Sequence, residues 1–168
     1  MQPSSRARDS GFTLAEILTV VAIIAIITAI GAPVFLSYWQ SAALTAGAQE
    51  LAAVLNRGRQ LALTQNTPVC VRYNEIDPVT AVPSRSIRFR TSGCPGTPGS
   101  TVWTGSGTDA NGFLALANQI TVTASTASVV FNHLGGATTA GTYTVQNPTT
   151  GRTMRVVVAP SGRVTIGP

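Results

Sequence analysis

The chain has no lysine, a single histidine (His133), two cysteines and six acidic residues among 168. Each scarcity closes off a class of chemistry. His133 stands beside the Gly135-Gly136 turn signal and has no serine or acid arranged with it, so it reads as a turn residue rather than a general base. Ser161 lies in Pro160-Ser-Gly-Arg163, a turn and not a nucleophile elbow. Gly105-Ser-Gly107-Thr-Asp-Ala110 satisfies a dinucleotide-binding pattern on paper but lacks the strand before it and the helix after it. Glu75 and Asp77 are close in sequence but run into Pro78, which makes that stretch a loop and not a paired active site. Cys70 and Cys94 have no Cys or His neighbour at ligand spacing, so no metal site is expected. No enzyme activity and no cofactor are expected.

Charge is scarce overall, at 10% of residues, and is missing altogether between Ile17 and Gln49. What occupies that gap is informative. Ile17–Leu36 is a run of twenty residues, almost all Ile, Val, Ala, Leu and Phe, with only Thr, Gly and Pro interspersed. As a helix at 1.5 Å per residue, such a run matches a hydrocarbon core of about 30 Å. Arg6 and Arg8 precede it and no basic residue follows until Arg57. The positive-inside bias therefore puts the N-terminus in the cytoplasm and the rest of the chain outside it. A secretory signal would carry a small-residue cleavage site after the run, and Pro33-Val-Phe-Leu-Ser-Tyr-Trp-Gln40 has none. A plain bitopic anchor fits the hydropathy but gives no reason for Glu16, a carboxylate at the head of an apolar helix. With an even cysteine count in an exported chain, a Cys70–Cys94 disulfide is expected.

Gly11-Phe12-Thr-Leu-Ala-Glu16, after a short polar leader and before the apolar run, resembles the prepilin peptidase site of type IV pilins and type II secretion pseudopilins. The resemblance implies that residues 1–11 are a leader cut after Gly11. It implies that Phe12 becomes an N-methylated N-terminus and that Glu16 is an assembly carboxylate, able to neutralise the α-amino group of a neighbouring subunit's Phe12. It also implies an anchor in the bacterial inner membrane and then a place in a filament. The partners it implies are other pilins or pseudopilins, the prepilin peptidase, an inner-membrane assembly platform and membrane lipid before assembly.

Gly31 and Pro33 are expected to kink or locally melt the helix. The anchor is thus assigned to residues 12–36 and a second, amphipathic helical part to 37–66. There Leu44, Ala48, Leu51, Leu55 and Ala62 share one face, and Pro68 sets the end near Asn66. From residue 67 to 168 the period falls to two. Val69, Val71 and Tyr73 alternate with Cys70, Arg72 and Asn74, and Ile87 and Phe89 with Arg88 and Arg90. Further strands are expected at 120–124, 128–132, 142–146, 152–159 and 163–166, with a Gly/Pro/Ser/Thr-rich loop over 93–112. The expected fold is α+β: one long N-terminal helix packed on a small antiparallel domain of two sheets. Leu55–Tyr73, passing from helix straight into strand, and the final Ala159–Ile166 resemble the H-type (GspH/FimT-like) branch of the pseudopilins. That branch implies a minor pseudopilin or minor pilin, at the tip of a type II secretion pseudopilus or a type IV pilus.

Arginines gather in two places: Arg85, Arg88 and Arg90, and then Arg152, Arg155 and Arg163, with no acid after Asp109. The simpler reading is a solvated sheet face. The alternative is a phosphate-binding patch for DNA uptake. Some minor pilins of this branch bind DNA through Gly-Arg-x-Arg. Gly162-Arg163-Val-Thr165 lacks the second arginine, and Gly151-Arg152-Thr-Met-Arg155 has one residue too many.

Overall fold

In the computed structural model the described residues are 12–75, 86–116, 120–126 and 128–168. The expected leader, Gly11 and Arg85 lie outside them. The chain divides between Trp39 and Gln40 into two compact units.

In the first unit, helix α1 (Leu14–Gln65) begins under a capping-box sequence, Thr13-Leu-Ala-Glu16. Thr13 Oγ1 accepts from the Glu16 backbone N–H at 3.3 Å, satisfying one of the donors a helix start leaves unpaired. The helix runs through Gly31 and Pro33 without interruption, so the expected local melting is not observed. Proline removes one N–H from the ladder and costs about 3 kcal/mol. The turns on either side keep their own bonds, and Thr28 and Ser37 bond back to the carbonyls of Ile24 and Val34.

The second unit contains the rest of α1 and both sheets. Leu44, Ala48, Leu51, Leu55 and Ala62 are all buried, as the spacing predicts. Asn66, with φ of 51°, closes the helix in the left-handed conformation before Pro68. The first sheet has the order β3-β2-β1-β6-β7, with β4 also paired to β2. Its strands are β1 (Val69–Tyr73), β2 (Ser86–Thr91), β3 (Thr101–Val102), β4 (Phe113–Ala115), β6 (Ser128–Phe131) and β7 (Ala137–Thr139). The second has the order β10-β9-β8-β5, from β5 (Thr121–Ala124), β8 (Gly141–Gln146), β9 (Thr153–Val158) and β10 (Val164–Gly167). Every pairing is antiparallel. The two-sheet expectation holds, but β3, β4 and β7 are additions. Each has two or three residues, too short for alternation to register in the sequence.

Helix and sheets share one core of Leu51, Leu55, Val71, Phe89, Phe131, Tyr143, Val145, Val156 and their neighbours. Val71 pairs in register with Phe89 on one side and Val129 on the other, so the alternation delivers all three to the helix. Gly58 explains how closely they meet. A Cβ there would overlap Val71 Cγ2, so only glycine lets the helix lie this near the sheet.

Candidate functional site

The N-terminal constellation is open. Phe12 is exposed, Glu16 occupies the first turn of α1, and the apolar side chains from Leu14 to Trp39 are exposed all round the helix. A carboxylate in the first turn is favoured by the positive end of the helix dipole. Among the described residues the Glu16 carboxylate has no hydrogen-bond or ion-pair partner. Thr13 caps the helix and fixes the backbone of Glu16, a role that the sequence reading, which took it only as part of the motif, did not give it. Its signal was present in the Thr-x-x-Glu spacing. By length and composition this is a helix able to cross a membrane, and none of its most apolar stretch is buried within the chain.

Cys70 and Cys94 are disulfide-bonded, as the sequence suggested. The bridge joins fully buried Cys70 in β1 to the start of the loop after β2, and Cys94 Sγ also contacts Ser128 Oγ at 3.5 Å. The rest of that loop is held too. Trp103 packs edge-on against Phe89 with centroids 5.8 Å apart, and the Arg57 guanidinium lies 5.0 Å from the Trp103 ring centroid while donating to Ser106 O.

Of the first arginine cluster, Arg88 and Arg90 form neither a solvated face nor a phosphate patch. Arg88 is only 8% exposed and donates to Glu75 Oε1 at 3.2 Å, and Arg90 reaches the same oxygen at 3.0 Å. Arg88 also lies over the Phe113 ring, 4.7 Å from its centroid. Glu75, read from sequence as a loop acid, is itself buried at 9% exposure. On the outward face of β1–β2 the disulfide loop is tied down at Cys70, and Glu75 offsets one of the two arginine charges it meets. Alternation correctly put Arg88 and Arg90 on one face, but the groups they meet there, Glu75 and Phe113, lie outside their strand.

The second cluster does not act as a unit. Arg152 lies just before β9 and donates to Ser41 Oγ on α1 at 2.7 Å. Arg155 and Arg163 are exposed on β9 and just before β10. Gly162 packs the β9–β10 turn so tightly on Gly135 that a Cβ would overlap the Gly135 carbonyl. Arg59 from the helix donates to that same carbonyl at 2.8 Å. Asn147, which with Pro148 reads as a turn signal in the sequence, is a buried hub. Its Nδ2 donates to the Gln40 carbonyl at 3.2 Å, and its Oδ1 accepts from the backbone of Thr149 and Thr150. Among the described residues no group of three His, Cys, Asp or Glu could hold a metal ion.

Residues 47–162 match the family model for type II transport protein GspH. The chain belongs to the GspH family. Residues 6–32 of this GspH-family chain also match the prokaryotic N-terminal methylation motif, across Gly11, Phe12 and Glu16. It is thus a pilin-like subunit of the minor pseudopilin or minor pilin kind, and its apolar N-terminal helix fits membrane anchoring. No curated protein matches it in sequence.

Solved structures share its fold. Escherichia coli GspH aligns with TM-score 0.55 at 14% identity, over 74% of this chain and 87% of that one. EpsH, the minor pseudopilin of the Vibrio cholerae type 2 secretion system, aligns with TM-score 0.51 at 14% identity, over 71% and 91%. The Pseudomonas aeruginosa type IV minor pilin FimU aligns with TM-score 0.48 at 20% identity, over 74% and 88%. The long helix on antiparallel sheets is the fold common to Escherichia coli GspH, EpsH and this GspH-family chain.

Proposed function

We propose that this subunit is cut between Gly11 and Phe12, N-methylated at Phe12, and built into the helix-packed core of a short filament through Glu16. The observation that carries the reading is the Glu16 carboxylate in the first turn of a helix, without a partner among the described residues, and the exposed apolar surface of that helix from Leu14 to Trp39. A helix apolar on all sides requires lipid or other helices around it. A carboxylate entering such surroundings requires a cation with it. A neighbouring subunit's Phe12 α-amino group, created by the cleavage, meets both needs at once. The partners are accordingly other pilins or pseudopilins, after the prepilin peptidase and an inner-membrane assembly platform have handled the chain.

Before assembly the subunit is a single-pass inner-membrane protein with its N-terminus in the cytoplasm and its domain in the periplasm. Arg6 and Arg8 ahead of the span and a disulfide beyond it support that orientation. In the packed filament Pro33, with its missing N–H, is where the helix would yield. No observation favours DNA as ligand: Arg88 and Arg90 are taken up on Glu75, and Arg155 and Arg163 stand at opposite ends of the β9–β10 pair.

The test is Glu16→Ala in cells that carry the partner subunits. Intact mass should show a mature chain starting at methylated Phe12, and the variant should no longer co-purify with other pilins. Normal incorporation of the variant, or a wild-type chain that still starts at Met1, would overturn the proposal.

A further inference from the structure

The outward face of β1 and β2 has more positive charge than the described residues answer. Arg72 stands directly opposite Arg88 in the β1–β2 register, so both side chains leave the sheet on the same side, and Arg90 lies on that side too. Like charges directly opposite one another are destabilising unless a counter-charge intervenes. Glu75 intervenes for Arg88 and Arg90, which share its Oε1. Arg72 is half-buried and has no hydrogen-bond or ion-pair partner among the described residues. Three guanidiniums against one carboxylate leave an excess of two positive charges on this face. Among the described residues no strand of this sheet contains an acid. Asp109, in the loop before β4, is occupied by the backbone N–H groups of Asn111 and Phe113. On its other flank Arg72 is in register with Ser128, whose hydroxyl is a second donor on the same face.

We propose that Arg72, with Ser128 beside it, receives an acidic side chain of a neighbouring pilin-like subunit. This rests on the assembly reading given above and names the chemistry of one contact within it. A carboxylate takes a guanidinium bidentately, and one placed here also meets the uncompensated charge of the Arg88–Arg90–Glu75 group. A nucleic acid asks for more, because its phosphates need a row of accessible cations. Of the three arginines only Arg72 has its donors free, since Arg88 and Arg90 are held on Glu75 and Arg88 is buried. Charge complementarity of this kind selects partners and fixes their register.

The absence of lysine makes the test direct. Arg72→Lys keeps the charge and introduces a lysine amine into a chain that has none, and a carbodiimide condenses that amine with any carboxylate in contact. The full chain is expressed in cells that carry the partner subunits, their membranes are treated, and the linked peptides are read by mass spectrometry. Position 72 should be joined to an Asp or Glu of another subunit. The yield should be several-fold higher than from Arg163→Lys, which puts its amine on an exposed site outside the cluster. Arg72→Gln should reduce co-purification of that subunit several-fold. Equal yields from positions 72 and 163 overturn the proposal, as does an amide to this chain's own Glu75 or Asp77. Duplex DNA that binds the wild-type chain and not Arg72→Gln overturns it in favour of phosphate. Glu16→Ala separates the two readings. If Glu16→Ala abolishes assembly and position 72 of the otherwise unaltered chain gives no adduct, this inference alone fails. If Glu16→Ala assembles normally, the assembly reading fails, and the adduct at position 72 still decides this one.

Discussion

Residues 12–39 and residues 40–168 contain parts of one helix, yet they solve the problem of apolar surface in opposite ways. Beyond Gln40, Leu44, Leu51 and Leu55 are buried under two sheets. Before it, Ile17, Ile23, Ile24, Ile27 and Ile30 are all exposed. Their carboxylates divide in the same way. Glu75 is buried and shared by two arginines, whereas Glu16 is exposed and unanswered among the described residues. The second unit is complete by itself, and the first is complete only with something from outside. A structural subunit built for assembly needs that division: a domain stable before it joins the filament, and a stem that gains its partners on joining.

The sharpest way to break the comparison is to remove each carboxylate. Glu75→Ala leaves Arg88 and Arg90 buried without a counter-charge and should destabilise the domain by about 3–5 kcal/mol in urea denaturation. Glu16→Ala should leave the same transition unmoved. A smaller effect is expected from the apolar pair. Leu55→Ala, with its side chain fully buried, should cost about 2–4 kcal/mol, while Ile24→Ala in detergent should leave the domain's melting temperature unchanged. Equal losses from the two would mean that the stem is part of the domain's core.

The smallest effect at neutral pH concerns Tyr143, whose hydroxyl is buried without a partner. Burial raises its pKa to about 12, from 10 in the unfolded chain. The unfolded state thus releases the proton first, so the tyrosine's contribution is intact below pH 10 and is lost between pH 10 and about 12. Tyr143→Phe should be near neutral at pH 7, because it removes a polar group that is buried without a partner. It should also flatten the alkaline arm of the stability profile. An unchanged alkaline arm would exclude Tyr143 as its source.

What could be read in the sequence was whatever rests on spacing between near neighbours. The apolar run, the break from period 3.6 to period 2 at residue 67, the helix end at Asn66 and the processing motif all express themselves within a few residues. The Cys70–Cys94 pairing followed from there being two cysteines in a chain whose apolar run and flanking arginines read as exported. Capping by Thr13 was legible too, but the Thr-x-x-Glu spacing was taken only as part of the motif.

The fate of each arginine was not legible, because a guanidinium is equally at home in water, on a ring, on a carbonyl or on a carboxylate. Tertiary structure alone put Arg57 on Trp103, Arg59 on Gly135, Arg88 and Arg90 on Glu75, and Arg152 on Ser41, 111 residues away. It likewise decided that Arg88 is buried on the outer face of β1–β2 and that three more short strands complete the sheets. Periodicity records which side of an element a residue faces. What lies on that side is settled by contacts between distant parts of the chain, and local spacing carries no trace of them.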